Sequence, residues 1–319
     1  MRRFFKWLAV FVVVALVGAL AVFWESDRDA AAMKAKYGSP ASQFVDIGDG
    51  LIVHARDEGK RDGRVIVLIH GSNASLHTWE PWVARLGGSY RIISMDMQGH
   101  GLTGPHPKRD YHYSAFVDVV DKVTSKLGVA KFTIGGNSMG GGIAWHYAVA
   151  HPDRVEGLIL VDAAGAPQWQ AKKVPIGFRV ARMPVIKELA RVITPRSLFE
   201  SSLKASVSNQ AIVTPQAVDR YWDLNLYPGN RQATMDRFAL VHNVEPADKA
   251  SLSAIKVPTL IMWGDEDTLI PVANAKWFAD AIPGSKTVIY PRIGHIPMEE
   301  TADQSAADAG SFMAALPKP

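Results

Sequence analysis

A serine enclosed by glycines is the residue pattern in this chain with the clearest chemical meaning. Ser138 is the centre of Gly136-Asn137-Ser138-Met139-Gly140, a G-x-S-x-G pattern that follows a short apolar stretch and precedes the helix-forming stretch 143–150. A strand, a tight turn and a helix in this order hold a nucleophilic serine in a strained conformation, and glycines avoid collisions there. The alternative is a Gly-rich turn with a chance serine, and the rest of the chain decides between the two.

A serine nucleophile needs a base, and His295 is the candidate among 10 histidines. It follows Gly294 directly after the last predicted strand, at the edge where parallel strands deliver catalytic side chains. Imidazole has an unperturbed pKa near ~6.5, so it can accept and return a proton at neutral pH. We therefore predict that His295 is the base.

A third side chain must orient that base, and a cluster of carboxylates ends the penultimate predicted strand. Within Trp263-Gly264-Asp265-Glu266-Asp267 we predict that Asp267 is the acid, which keeps the chain order Ser, acid, His. Asp265 and Glu266 are the local rivals and would otherwise be solvated turn residues. Asp162 also ends a strand and is a further rival; otherwise it would bond the start of the segment that follows it.

The loop His70-Gly71-Ser72-Asn73 follows another predicted strand and completes the constellation. Its position predicts that the backbone N–H groups of Ser72 and Met139 donate to an oxyanion. The helix after Ser138 directs free N–H groups and partial positive charge to the same point. His70 itself is predicted to hold the loop without taking part in the chemistry.

Eight short β-prone runs supply the elements that must position these residues. The first two, separated by Gly48-Asp49-Gly50, read as a hairpin, and the later ones are continuously apolar, as in strands covered on both faces. The predicted strands span residues 44–47, 51–55, 65–69, 91–95, 131–135, 158–161, 259–263 and 287–290.

Helical stretches alternate with these strands, at residues 79–86, 113–127, 143–150 and 272–281. The alternation predicts an α/β fold with a mostly parallel sheet and helices on both faces. From about 167 to 253 the alternation stops, and apolar-periodic pieces punctuated by prolines predict a helical insertion.

Several motifs make the chain resemble the α/β-hydrolase superfamily across nearly all of residues 44 to 315. They are His70-Gly71-Ser72, Asp96-Met97-Gln98-Gly99-His100-Gly101, Gly136-Asn137-Ser138-Met139-Gly140-Gly141, His151-Pro152-Asp153-Arg154-Val155, Trp263-Gly264-Asp265-Glu266-Asp267 with Pro271, and Gly294-His295.

The resemblance implies an eight-stranded core at 44–164 and 254–319, a helical cap at 165–253 over the site, and Asp267 as the acid. Ser138 argues against the dehalogenases and epoxide hydrolases of the superfamily, which use Asp at that position. Gln98 replaces the proline of the family's usual D-x-P-G-H-G, a structural loop where we expect little consequence.

The first 25 residues read as a separate module. Arg2, Arg3 and Lys6 precede an uncharged apolar stretch, 7–24, whose helical length of about 27 Å approaches the ~30 Å hydrocarbon core of a bilayer. The cationic side should remain cytoplasmic, which places the catalytic domain on the periplasmic or extracellular side. A signal peptide cleaved near Ala19-Leu20-Ala21, leaving a secreted protein, and a buried core helix are the alternatives. The polar, Ala-rich residues 26–43 are predicted to form a helical or flexible stalk.

Composition excludes several classes of function. The 319 residues contain no cysteine, so disulfides, thiolate metal sites and a cysteine nucleophile are excluded. The formal charge of +4 includes Arg2, Arg3 and Lys6, and the remainder gives no case for nucleic-acid binding. Without a Walker loop, an H-E-x-x-H or a G-x-G-x-x-G motif, we expect no metal and no cofactor.

These features predict a serine hydrolase that cleaves carboxylic esters through Ser138, Asp267 and His295. Phe178, Phe199, Tyr221, Trp222, Phe238 and Leu240 lie in the insertion. They would build its own core or line a pocket for an apolar group.

With the N-terminal anchor, the layout resembles membrane-anchored monoacylglycerol lipases. One alternative is a hydrolase of C–C bonds in meta-cleavage products, which shares the triad and a similar Gly-Asn-Ser-Met-Gly-Gly run. The other is a non-catalytic binding protein on the same fold.

Overall fold

The structure is a computed structural model of the full chain. It describes residues 24–167, 186–240 and 247–317, together with residues 3–8, 10, 11, 14, 18, 180 and 183.

One eight-stranded sheet forms the centre of the molecule, in the order β1-β2-β4-β3-β5-β6-β7-β8. β2 pairs antiparallel with β1 and β4, and every other neighbouring pair is parallel. This confirms the predicted α/β fold with a mostly parallel sheet. The strands are β1 (Ser42–Asp46), β2 (Ile52–Gly59), β3 (Val65–Ile69), β4 (Arg91–Met95), β5 (Phe132–Asn137), β6 (Val155–Val161), β7 (Thr259–Gly264) and β8 (Lys286–Tyr290).

Charged residues extend β2 beyond the Ala55 predicted as its end. Asp57 pairs in register with Ile93 of β4, and its carboxylate accepts hydrogen bonds from Nε and Nη2 of Arg91 at 2.9 and 2.8 Å. Because an ion pair replaces apolar packing at this end of the strand, hydrophobic periodicity alone missed it.

Helices cover both faces of the sheet and divide the core into two layers. Val67 and Ile69 of β3 point into one layer, and Ile66 and Leu68 point into the other, as alternation along a strand requires. Trp79 and Trp82 are fully buried in the second layer. The helices outside the insertion are α1 (Ala30–Tyr37), α2 (Glu80–Leu86), α3 (Tyr113–Lys126), α4 (Met139–Ala150), α10 (Ala273–Ala281), α11 (Pro297–Glu300) and α12 (Ala302–Ala315).

Between β6 and β7 the described residues form helices and no strand. They are α5 (Ile186–Leu189), α6 (Arg196–Ser206), α7 (Pro215–Asn225), α8 (Asn230–Leu240) and α9 (Lys249–Ser253), with a 3₁₀ turn at Gln210–Ile212. Thr214 caps the N-terminus of α7 by accepting a hydrogen bond from the Ala217 N–H at 3.1 Å, and Pro215 occupies its first position.

The segment expected as a stalk lies against this insertion. Asp29 caps α1, accepting from the Ala32 N–H at 2.7 Å. Just before this helix, the backbone N–H of Glu25 donates to the Val192 carbonyl, and that of Arg28 donates to the Leu226 carbonyl, both at 2.8 Å. The segment is therefore docked on the protein instead of extending freely from it.

Asp223 of α7 is the main side-chain attachment for this segment. Its carboxylate accepts hydrogen bonds from Arg28 Nε at 3.3 Å, Lys36 Nζ at 2.7 Å and Tyr37 Oη at 2.8 Å. Burial alone would raise the pKa of Asp223, but the bonds from Lys36 and Tyr37 hold it below its usual value.

Replacing Asp223 by alanine should lower the free energy of unfolding by about 2 kcal/mol, because three donors lose a shared acceptor. Since the folded-state pKa is depressed, this contribution is complete above the unfolded pKa of ~3.9 and is lost as the pH falls through the folded value. Urea unfolding of wild type and variant at pH 7 and pH 3 measures the loss of stability and its dependence on pH. Asp303→Ala is the control, because that carboxylate is 93% exposed. An equal loss at the two pH values would contradict the assignment.

The predicted membrane-spanning stretch, 7–24, lies mostly outside the described residues. Within the parts of the chain that are described, none of the helices combines the length and the apolar character needed to cross a bilayer.

Candidate active site

The carboxyl ends of the parallel strands meet at one edge of the sheet, and every predicted site residue follows one of them. Ser72 follows β3, Ser138 follows β5, Asp162 follows β6, Asp267 follows β7 and His295 follows β8. β3, β5, β6, β7 and β8 are consecutive neighbours in the sheet. Residues that are distant in sequence therefore lie close together because the strands they follow are adjacent in the sheet.

Ser138 occupies a strained backbone conformation between β5 and α4. Its φ is 55° and its ψ is −119°, a region that non-glycine residues rarely adopt. Its N–H donates to the Val161 carbonyl at 3.0 Å, and its carbonyl accepts from Gly142 and Ala164 at 3.0 and 2.9 Å. These bonds on both sides fix the turn that presents the side chain.

Close backbone packing explains the glycines around Ser138. A Cβ at Gly136 would lie 2.1 Å from the Gly140 carbonyl oxygen, and one at Gly140 would lie 2.1 Å from the Ile69 carbonyl oxygen. Helix α4 begins at Met139, so Gly140 lies in its first turn and allows the helix to approach β3, whereas Gly136 lies near the end of β5. The sequence predicts that this helix starts at residue 143, four residues too late, because glycines usually signal a turn.

His295 and Asp267 form a buried pair. Nδ1 of His295 lies 2.6 Å from Oδ2 of Asp267, and both side chains are at most 6% exposed. The other carboxylate oxygen of Asp267 accepts from the N–H groups of Leu269 and Ile270 at 2.8 and 3.0 Å. The Asp267 carboxylate is therefore fixed on both oxygens, and it holds the ring of His295 in one orientation.

The rival acids occupy other positions. Asp265 is exposed and accepts from the Arg292 N–H at 2.7 Å, and Glu266 is exposed. Asp162 is fully buried at φ 45°, and its Oδ1 accepts from the Gly264 N–H at 3.0 Å. Burial, and then the charge of Asp267, raise the pKa of Asp162 well above its usual value.

Asp162→Asn should stabilise the protein at neutral pH. The unfolded chain releases the Asp162 proton near pH ~3.9 whereas the folded chain retains it, so wild-type stability falls as the pH rises above that value. Asparagine tolerates positive φ, keeps an acceptor for Gly264 and removes this proton. We expect no difference at pH 4 and a gain of about 1–3 kcal/mol at pH 8, measured by urea unfolding. A variant less stable than wild type at pH 8 would refute this.

Asp162, Asp267 and His295 are also the group of described residues that could hold a metal ion, since one ligand atom from each lies within 4.8 Å of the others. A cation there would compete with the Nδ1–carboxylate contact and would require Asp162 to lose its proton. The arrangement therefore fits proton transfer better than metal coordination.

The side chain of His70 anchors the loop that carries Ser72. The Met97 N–H donates to Nε2 of His70 at 3.0 Å, which leaves Nδ1 as the protonated nitrogen donating to the Gly71 carbonyl at 2.7 Å. Burial lowers the pKa of His70, so the ring remains neutral. A Cβ at Gly71 would lie 3.2 Å from Cβ of Ser138, so this loop passes directly beside the serine.

A cavity of about 1360 Å³ opens at this site between the sheet edge and the insertion. Ser138, Met139, Ser72 and His295 line it. Most of its wall is apolar, and four of the insertion's predicted pocket residues contribute: Phe199, Tyr221, Phe238 and Leu240. Trp222 instead donates from Nε1 to the Thr194 carbonyl at 2.8 Å, and Phe178 lies outside the described residues.

Two polar residues of the site escaped the sequence analysis. Asn137 donates from Nδ2 to the carbonyls of His295 and Val161 at 2.9 and 3.2 Å. These bonds connect the end of β5 to the loop that carries His295. Its position directly before Ser138 could have identified Asn137 as a residue of the site. Arg237 of α8 is buried and lines the cavity, but no local pattern in the insertion distinguishes it from a surface arginine.

Comparison with known proteins agrees with this architecture. The profile of the alpha/beta hydrolase fold family matches residues 64–302. The 2-hydroxymuconate semialdehyde hydrolase of Pseudomonas sp. (strain CF600) is 28% identical over 88% of this chain and 97% of its own length. Lipase 1 of Psychrobacter immobilis is 26% identical over 82% and 80%. The solved structure of a membrane phospholipase A shares the fold with a TM-score of 0.73 at 24% identity, over 98% of both chains.

Proposed function

The chain belongs to the alpha/beta hydrolase fold family, and we propose that it is a serine hydrolase that cleaves carboxylic esters of apolar or lipid-derived compounds. The observation that carries the proposal is the strained Ser138, which faces the same cavity as a histidine already fixed by a buried carboxylate. At a φ of 55°, a residue that only built the turn would be less strained as glycine.

The proposed reaction is a two-step acyl transfer. His295 takes the proton of Ser138, whose oxygen attacks the ester carbonyl, while Asp267 fixes the imidazole tautomer. The N–H groups of Ser72 and Met139 receive the oxyanion; Met139 opens helix α4, where first-turn N–H groups have no acceptor within the helix. His295 then protonates the departing alcohol and activates the water that releases the acid.

The apolar wall of the cavity supports an apolar acyl or alcohol group. Its volume of about 1360 Å³ exceeds the ~300–1,000 Å³ common for small-ligand pockets, which favours a long chain over a short one. Lipase 1 of Psychrobacter immobilis is among the relatives, in agreement with this substrate class.

Hydrolysis of a C–C bond in a meta-cleavage product is the second candidate function. It is favoured by the similarity to 2-hydroxymuconate semialdehyde hydrolase over nearly the whole of that enzyme. The same three side chains would serve it, so the substrate and not the triad separates the two candidates.

We also propose that residues 7–24 anchor the protein in a membrane, with the catalytic domain on the periplasmic or extracellular side. The apolar stretch is flanked by Arg2, Arg3 and Lys6 before it and by Glu25, Asp27 and Asp29 after it. A surface-bound enzyme would meet lipid esters where they are concentrated. Secretion after cleavage of a signal peptide is the alternative, and the N-terminal sequence of the mature protein distinguishes them.

The full-length protein in detergent micelles provides the test. Intact mass after treatment with a fluorophosphonate should show a single adduct, and esters of increasing acyl length should be hydrolysed with a preference for long chains. A coloured dienone meta-cleavage product, assayed beside them, would identify the C–C hydrolase by loss of its visible absorption. A folded protein that forms no adduct and cleaves neither substrate class would refute catalysis and favour the binding protein.

A further inference from the structure

We propose that Arg237 forms an anion subsite beside the oxyanion loop, so that the preferred substrate carries one carboxylate or phosphate group a few bonds from the scissile carbonyl. This inference rests on the proposed function and narrows its substrate class. It describes an amphipathic ester, with its charged group at Arg237 and its apolar chain along the rest of the cavity.

The position of Arg237 places a positive charge next to the reacting centre. The side chain is 5% exposed and lines the cavity together with Ser72 and Met139. Its Nη1 donates to Oγ of Ser72 at 2.7 Å and approaches Sδ of Met139 at 3.9 Å. The guanidinium therefore contacts both residues whose N–H groups are proposed to receive the oxyanion.

Within the part of the chain that the structure describes, the hydrogen-bond acceptors of Arg237 are neutral. Nη2 donates to Oδ1 of Asn73 at 3.2 Å and to Oγ1 of Thr234 at 3.0 Å, and Nε is buried without a partner. Among the residues that the structure describes, no carboxylate lies within 4.0 Å of its guanidinium, and the adjacent Asp236 pairs with Arg109 at 2.7 Å.

Other buried or half-buried arginines differ in this respect. Arg231, which lines the same cavity, lies 2.6 Å from the Asp27 carboxylate. Arg220 lies 2.9 Å from Glu299. Arg56 lies 2.7 Å from Glu80. The described hydrogen-bond partners of Arg237 are thus neutral, and the charge of Asp236 acts on its buried guanidinium only from beyond ion-pair distance.

An uncompensated buried charge has a large desolvation cost, which an anionic partner would offset. Burial lowers the pKa of Arg237 to about 9, so the group remains a cation at neutral pH. A neutral amide could hold Ser72 and Asn73 equally well, because both offer neutral acceptors. What only the arginine adds is a positive field and a planar donor set suited to carboxylate and phosphate oxygens.

The geometry also limits where the anion sits on the substrate. The Oγ that Arg237 contacts and the N–H proposed for the oxyanion belong to the same serine, and their atoms are separated by roughly 3 Å. The anion and the scissile carbonyl must therefore be near neighbours in the substrate. A hemiester of a short dicarboxylic acid and an acylglycerol phosphate both meet this condition.

Two matched pairs of esters test the inference. The carboxylate pair is 4-nitrophenyl hemiglutarate and 4-nitrophenyl 5-methylhexanoate, which have the same shape and differ in charge. The phosphate pair is a 1-acylglycerol 3-phosphate and the monoacylglycerol with the same acyl chain. We expect the anionic member of at least one pair to have the higher kcat/KM, by tenfold or more, and the pair that shows this identifies the source of the anion.

Variants separate the subsite from a role in holding the loop. Arg237→Gln should reduce the ratio of anionic to neutral kcat/KM at least tenfold, and Arg237→Lys should retain most of it. Arg231→Gln is the matched control and should leave the ratio unchanged, because that cation is already paired with Asp27. Equal losses for both esters in Arg237→Gln, or no anion preference in the wild type, would overturn the subsite.

Fluorophosphonate labelling of each protein keeps this result distinct from failure of the proposed function. A labelled wild type without anion preference overturns only the subsite. If the wild type is not labelled and cleaves no ester, the subsite is tested by binding: glutarate or glycerol 3-phosphate should raise the melting temperature of the wild type but not of Arg237→Gln. An equal shift in both proteins would overturn it.

Discussion

Replacing Ser138 by alanine should lower kcat for ester hydrolysis by about 10⁶-fold and abolish labelling by a fluorophosphonate. The oxyanion donors and the binding cavity would remain, so a residual rate above that in water is expected. Alanine has almost the same volume and faces the same φ of 55°, and the three backbone hydrogen bonds that fix the turn do not involve the hydroxyl. The melting temperature should therefore change little.

Ser253→Ala is the control for this experiment, because Ser253 lies in the short surface helix α9 and its hydroxyl bonds only the Ala250 carbonyl. It should retain labelling and activity. If Ser138→Ala retained more than about one per cent of wild-type activity, another group would have to be the nucleophile.

Asp267→Asn should lower kcat by about 10⁴-fold, and the surrounding hydrogen bonds show why. The N–H groups of Leu269 and Ile270 both point at one carboxylate oxygen, so the asparagine must place its carbonyl oxygen there. Its NH₂ group then faces Nδ1 of His295. That nitrogen must become the acceptor, the proton moves to Nε2, and the ring can no longer accept a proton from Ser138.

Because the tautomer of His295 changes, Asp267→Asn should also alter labelling and the dependence of activity on pH. Fluorophosphonate labelling should slow together with ester hydrolysis, and the activity should recover partly at high pH, where hydroxide can replace the base. Asp265→Asn, which changes an exposed carboxylate in the same strand end, should be close to wild type. Similar losses in the two variants would mean that the cluster acts through its charge alone.

The sequence was sufficient to predict a structural element where a local pattern of residues had a single physical explanation. The apolar runs of β3 to β7 are buried along almost their whole length, so their assignment as strands of a mostly parallel sheet followed from them. The expectation of burial was wrong for β8, which lies at the edge of the sheet and is mostly exposed. The choice of Asp267 over Asp265 was carried by a family resemblance, because the two carboxylates lie two residues apart with similar local composition. Only the structure shows that the first is buried against His295 and the second is exposed.

Features that depend on contacts between distant segments could not be predicted from sequence. The charged end of β2 is stabilised by Arg91, which lies 34 residues away from Asp57. Docking of residues 24–38 depends on α7, which lies nearly 190 residues later. Arg237 reaches Ser72 across 165 residues, and nothing in its own helix signals that contact.

The docked N-terminal segment restricts how the insertion can move. The insertion continues into the core at both of its chain ends and also contacts the core through Arg237 on Ser72 and Arg220 on Glu299, so any opening movement has to break these contacts. The N-terminal segment adds further contacts to the insertion. Glu25 bonds Val192, Arg28 bonds Leu226, and several donors of the segment bond the carboxylate of Asp223. If the preceding residues are fixed in a bilayer, the membrane also holds this segment, and through it the insertion, in place. Entry to the cavity would then depend on how the protein is attached to the membrane.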